Sequence, residues 1–158
     1  FVYLPIYKRK EMKLILKITC ILLLICSCSQ LDDNNYSDNK RVSLICDTTW
    51  MGESIKLENG DMNTCLYDFS RNGTYVCTIV TFNGTEYNIS KQNGRWTFYD
   101  KNFNVIFWGG NSFWDIIKLT SQEFIVYDRI GEYGKEDMTR SKYALSPITP
   151  EYIKLLGK

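Results

Sequence analysis

Six cysteines and a complete absence of histidine set the chemistry open to this chain. Cys26 and Cys28 stand one serine apart at the end of the apolar run Leu22-Leu23-Leu24-Ile25 and are followed by the acidic, amide-rich stretch Leu31-Asp32-Asp33-Asn34-Asn35. Two close thiols suggest half of a zinc site. A structural zinc site, however, needs a second ligand pair at suitable spacing, and the sequence has neither such a pair nor any imidazole, so no metal and no cofactor is expected. The same lack of histidine removes the commonest general base. A serine or cysteine nucleophile would need a lysine, a carboxylate or a lowered thiol pKa to activate it, and no G-x-S-x-G, S-x-x-K or P-loop pattern is present. Paired carboxylates could serve glycoside hydrolysis, and Asp68, Asp100, Asp115, Asp128, Glu132 and Glu136 are available. Their spacing pairs none of them, and a scattered acid is far more often a solvated surface group. The chain is therefore expected not to be an enzyme.

Three further thiols, Cys46, Cys65 and Cys77, fall in the central part of the chain. Cys65 and Cys77 flank a predicted hairpin, and a bridge there would stabilise by about 3 kcal/mol in the chain-entropy description. A two-residue turn at Asn72-Gly73 would instead set Asp68 opposite Cys77. Buried free thiols acting as small apolar side chains are the favoured alternative.

Aromatic side chains offer binding chemistry. Tyr75, Trp96, Trp108, Trp114 and Tyr127 are the candidates for lining a ligand cavity, with plain core packing as the competing role of each and a plug at the base of the fold as a specific one for Trp96. Phe107-Trp108-Gly109-Gly110-Asn111-Ser112-Phe113-Trp114 sets two tryptophans around a flexible, amide-bearing segment suited to sugars or protein partners; the alternative is a hairpin turn between buried strands.

The elements that must position these groups are strands. At 158 residues the chain amounts to about one domain. Nineteen basic against eighteen acidic residues leave no excess to neutralise a phosphate backbone, so nucleic acid is not an expected partner. Aromatics make up 15% of the chain and alanine is almost absent, which favours β-structure. Short apolar runs predict strands over 48–57, 65–70, 74–82, 85–90, 94–99, 103–108, 113–120, 123–128 and 138–145. Arg71-Asn72-Gly73, Asn83-Gly84 and Asn93-Gly94 are the expected tight turns between them. Thr149-Pro150-Glu151 opens a short helix that ends at Leu156 before Gly157. Tyr75, Cys77 and Ile79 alternate with Val76, Val80 and Phe82, so both faces of that strand are apolar. An open sheet would leave one such face wet; closure into a barrel, or cover by the terminal helix, avoids this.

At the amino end, Lys8, Arg9, Lys10, Lys13 and Lys17 precede an apolar stretch too short and too interrupted to span a bilayer. Met12-Lys13-Leu14 is the expected initiation point, with residues 1–11 an upstream extension and 12–27 a signal peptide. Ile25-Cys26-Ser27-Cys28 resembles the lipobox of bacterial lipoproteins. That resemblance implies cleavage before Cys28, lipidation of its thiol and attachment to a membrane. Residues 28–41 are expected to form a lipidated flexible tether with a reach of about 20 Å. Asp32-Asp33 is similar to the export signal of Bacteroidetes lipoproteins, which implies the outer membrane, on its periplasmic face or at the cell surface.

Residues 42–158 resemble the lipocalin-like lipoproteins of Bacteroidetes. The resemblance rests on Trp50 at the first strand, the F-x-x-N-G-T-Y hairpin of Phe69 to Tyr75, Gly94-Arg95-Trp96 as G-x-W, and Trp114 to Thr120 followed by Phe124-Ile125-Val126. Thr48 and Thr49 precede Trp50 where lipocalins usually have glycine. The likeness implies an all-β antiparallel meander barrel of about eight to ten strands with a short C-terminal helix. On this reading the chain is a lipid-anchored envelope protein that binds a small apolar or amphipathic ligand. The alternative is a surface protein- or glycan-interaction module with a packed barrel.

Overall fold

The computed structural model describes residues 39–135 and 139–157, all within the second of two units, residues 36–158. The chain order is α1 (Lys40–Cys46), β1 (Trp50–Gly52), β2 (Ile55–Lys56), β3 (Met62–Phe69), β4 (Thr74–Phe82), β5 (Tyr87–Arg95), β6 (Thr97–Phe98), β7 (Val105–Gly109), β8 (Ser112–Leu119), β9 (Phe124–Ile130), β10 (Thr139–Pro147) and α2 (Pro150–Leu156). The described part is an antiparallel β-meander with a short C-terminal helix, as the sequence predicts, and one further short helix ahead of the first strand. The lipobox, the signal peptide, the acidic pair and Glu136 lie outside the described residues.

One antiparallel sheet of ten strands runs in the order β5-β4-β3-β1-β10-β9-β8-β7-β6, with β2 alongside β3. From β3 to β5 and from β6 to β10, successive strands pair with one another, so the chain meanders. Its two halves join where β1 pairs with β10, Trp50 opposite Pro147 and Gly52 opposite Leu145. The two unpaired edges, β5 and β6, are consecutive in sequence and linked through Trp96. The ring is therefore joined by main-chain hydrogen bonds at the ends of the sheet-forming chain and by covalent chain at Trp96. Curvature brings opposite walls together: Tyr75 on β4 meets Trp108 on β7 with ring centroids 4.6 Å apart, and Tyr67 on β3 meets Trp114 on β8 at 5.2 Å.

Turns set the register. After Ser70 the chain reverses through Arg71-Asn72-Gly73, with the Ser70 amide on the Thr74 carbonyl at 2.8 Å and Gly73 at a φ of 79°. This is a three-residue connection through the expected Arg71-Asn72-Gly73, not the two-residue turn at Asn72-Gly73 weighed for the cysteine register. It sets Tyr67, not Asp68, opposite Cys77, and a shift of one residue changes the face on which every side chain falls. Asn83-Gly84 turns as predicted, with Asn83 Oδ1 accepting from the amides of Thr85 and Glu86. Asn93-Gly94 does not turn. Both residues continue β5, paired with Val76 and Tyr75, and the missing side chain of Gly94 accommodates the Tyr75 ring, into which a Cβ would collide.

A helix from Lys40 replaces the last residues of the expected tether. Asn39 caps it by accepting from the amides of Arg41 and Val42. Its Val42 and Ile45 are fully buried, and the Ile45 carbonyl takes the indole N–H of Trp50 at 3.1 Å. Ile45 joins Trp50, Phe69, Trp96, Ile106 and Phe124 in the main core. Arg71 holds the helix from outside through Asp47 at 2.9 Å and the Ser43 hydroxyl at 3.2 Å.

The apolar outer face of β3 and β4 has its own cover. Thr64, Leu66, Thr78 and Val80 are buried although they point away from the main core. The Thr64 hydroxyl meets Ser54 Oγ at 2.7 Å and the Tyr152 hydroxyl at 2.9 Å, which sets α2 against this face. That helix runs from Pro150 to Leu156 and stops at left-handed Gly157, as predicted, though the Thr149 side chain makes no capping bond.

Candidate functional site

Three walls of the barrel converge on a solvent-open cavity of about 520 Å³. From β3 and β4 come Cys65, Tyr67, Tyr75 and Cys77; from β7 and β8, Trp108, Ser112 and Trp114; from β9 and β10, Asp128, Ser141 and Tyr143. Strand alternation places each. Tyr67 and Cys77 are directly opposite, as are Asp128 and Ser141, and Tyr143 faces the wall beside Val126.

Irregularities in the sheet refine this wall. Between Phe107 and Gly109 the register slips, so that Trp108 is the extra residue of a bulge. Its ring lies 4.4 Å from that of Trp114, edge to face. Gly110 and Asn111, both at positive φ (57° and 62°), make the two-residue turn that follows. The segment Phe107–Trp114 is thus a tight hairpin whose tryptophans face the interior rather than a loop presenting them to sugars. Gly52 serves Tyr143 as Gly94 serves Tyr75, since a Cβ at Gly52 would overlap the Tyr143 phenol.

Of the predicted lining residues, Tyr75, Trp108 and Trp114 meet at the cavity. Trp96 does not line it. It is buried beneath Phe69, 5.5 Å between centroids, and its indole N–H bonds the carbonyls of Ser70 and Thr74 at 3.1 Å each, tying the β3–β4 hairpin to the β5–β6 link. This is the plug role. Tyr127 does not line the cavity either. It lies between inward-facing Val126 and Asp128, so its ring points outward, where the Arg140 guanidinium sits 3.7 Å from its centroid. Tyr67, Asp128 and Tyr143 were absent from the predicted set. Aromatic periodicity alone could not select them, because the face of Tyr67 depends on the length of the Arg71-Asn72-Gly73 loop.

Cys46, Cys65 and Cys77 are free thiols. Cys65 lies opposite Ile79, one diagonal step from Cys77 on the same inward face. Diagonal Cα atoms in an antiparallel pair are about 7–8 Å apart, whereas a disulfide needs roughly 4.4–6.8 Å. The two thiols are free rather than bridged. The interaction between their side chains lowers the Cys65 pKa below its ordinary value and raises that of Cys77. Burial pushes the Tyr67 phenol up, and Tyr143 is raised to about 12, also by burial first.

The carboxylates considered for catalysis are dispersed. Asp68 accepts the Thr49 hydroxyl, and Asp100 caps the amides of Asn104 and Val105 at 2.8 and 2.9 Å. Asp115 pairs with Arg129 and accepts the Tyr133 hydroxyl on the outer face. Glu132 lies 3.7 Å from Lys135. Asp128 alone among the cavity's lining residues carries a carboxyl group; its Oδ1 accepts the Trp114 indole N–H at 3.1 Å, and burial raises its pKa. Among the described residues, no group of three or more cysteines, aspartates or glutamates could hold a metal ion.

No family model matches the chain, and no curated protein does. A solved structure of similar strand arrangement is that of the siderocalin Ex-FABP. Its description reads that it functions through dual ligand specificities; identity is 7%, the match covers 73% of this chain and 79% of that one, and the TM-score is 0.40.

Proposed function

We propose that this chain binds a small apolar or amphipathic ligand inside its barrel while held to a bacterial envelope by a lipid at Cys28. The observation that carries the binding half is the cavity itself: about 520 Å³, open to solvent, and walled by Tyr67, Tyr75, Trp108, Trp114 and Tyr143. That volume lies within the range of small-molecule sites, roughly 300–1,000 Å³. A module with a fully packed barrel would have these rings interdigitated without such a space. The anchoring half rests on Ile25-Cys26-Ser27-Cys28 and the basic, apolar sequence before it. Asp32-Asp33 supports an outer-membrane address. Among the described residues no helix is long and apolar enough to cross a membrane.

Native mass spectrometry of the protein purified from its own host tests the binding half. A stoichiometric small molecule released on unfolding is the expected result. A bare chain whose tryptophan fluorescence is also unmoved by amphipathic probes would overturn it.

A further inference from the structure

We propose that the cavity selects ligands bearing a cationic amine or quaternary ammonium group, with Asp128 as the counter-charge and the rings of Tyr67, Tyr75, Trp108, Trp114 and Tyr143 as the surrounding cage. The inference rests on the cavity-binding function and adds the charge of the ligand to it.

Among the described residues the carboxylate has no ion-pair partner. The ion pairs among the described residues join Arg71 to Asp47, Lys118 to Glu123, Arg129 to Asp115 and Lys135 to Glu132, and none involves Asp128. Strand alternation explains this. Arg129, next in sequence, falls on the outer face and is taken by Asp115, while Arg140 lies outside on the Tyr127 ring. What Asp128 receives instead is one neutral donor, the Trp114 indole N–H. A half-buried carboxyl group with one hydrogen bond and no counter-ion retains unmet attraction for positive charge.

The cage supplies the second term. Trp108 and Trp114 are 4.4 Å apart, Tyr75 is 4.6 Å from Trp108, and Tyr143 is 5.7 Å from Trp114, so the rings that line the cavity with Asp128 form one contiguous aromatic cluster. Such rings attract a desolvated ammonium and repel an anion. The other titratable groups on the wall agree. Cys65 has its pKa lowered by Cys77, and Cys77, Tyr67, Tyr75 and Tyr143 have raised pKa values, so none of them adds positive charge. Lys142 is the one cation among the lining residues; it is exposed and pairs with outward-facing Tyr127.

The test is a tryptophan-fluorescence titration of the purified chain with three ten-carbon probes, decyltrimethylammonium, decanol and decanoate, at equal ionic strength and below micelle formation. Decyltrimethylammonium is expected to bind at least tenfold more tightly than decanol, with decanoate weakest. Asp128→Asn, which keeps an oxygen to accept from Trp114, should remove the preference for decyltrimethylammonium over decanol. Equal or tighter binding of decanol or decanoate by the unmodified chain overturns the proposal while leaving the cavity function standing, and this ranking does not depend on how the variant folds. Retention of the preference in a folded Asp128→Asn variant also overturns it. Failure of all three probes to bind removes the cavity function and this proposal together.

Discussion

Tyr75 reaches the cavity because its cross-strand partner, Gly94, has no side chain. Gly94→Ala would drive a methyl group into the ring and force Tyr75 off its position, at a cost of about 1–3 kcal/mol. The expected signature is non-additivity: in Tyr75→Leu, where the flat ring is gone, the same Gly94→Ala change should cost much less by denaturant unfolding. Strict additivity would show that the two residues do not share the space. The thiols make a second residue-scale case. Cys65 is held below its ordinary pKa by its interaction with Cys77, whereas burial raises Cys46 to about 11. Deprotonation of Cys65 thus favours the folded state above the unfolded thiol value near 9, an advantage lost as pH falls through its lower folded value. The protonated Cys46 favours it below 9, an advantage lost as pH rises toward about 11. Iodoacetamide should accordingly modify Cys65 first, with a rate midpoint below 9, and Cys46 later. Peptide mapping that finds Cys46 alkylated ahead of Cys65 would contradict this order.

At the scale of elements, loop length outranks strand pattern. The alternation in Thr74–Phe82 is plain from its residue types, and the observed β4 has the predicted bounds. Its pairing partner could not be aligned from the same information, because one extra loop residue decides whether Cys77 faces Tyr67 or Asp68. The slips at Trp108 and Ile117 are of the same kind, since each inserts a residue and resets which neighbours point inward. Helix α1 was hidden by its polar surroundings; Val42 and Ile45 are its only buried residues, too few to give a helical period. The outer face of β3 and β4 depends on a bond that spans 88 residues, from Thr64 to Tyr152. Tyr152→Phe should cost about 1 kcal/mol, and Thr64→Val more, since that hydroxyl also bonds Ser54. The double variant should be little worse than Thr64→Val alone. A double variant that loses the full sum by chemical denaturation would place α2 independently of this bond.

For the molecule as a whole, the proposed anchor and the proposed binding cavity lie in different stretches of chain. The quartet that ends at Cys28 precedes the first described residue, Asn39, by eleven positions. Cys28→Ser should therefore abolish labelling by radioactive palmitate and partition into detergent, while leaving the unfolding midpoint of the barrel unchanged. Continued labelling of that variant would refute the lipobox assignment. The barrel's two free edges, β5 and β6, follow one another through a single residue, Trp96. Its indole N–H, shared between the Ser70 and Thr74 carbonyls, ties that link to the β3–β4 hairpin.

Local composition alone determined the strand-rich class, the C-terminal helix with its proline start and glycine stop, and the aromatic supply of the interior, because these depend on propensity and on side-chain period within a few residues. Tertiary structure decided which aromatics face the cavity. Tyr127 was turned outward by its place between Val126 and Asp128, Trp96 was drawn into the seam, and Tyr67 and Tyr143 were turned inward by a turn length and by pairing with distant strands. Asp128 shows the difference most clearly. In sequence it is one acid beside an arginine, and only the alternation of a folded strand separates the two, sending Arg129 to Asp115 outside and leaving the carboxyl group among tryptophans and tyrosines.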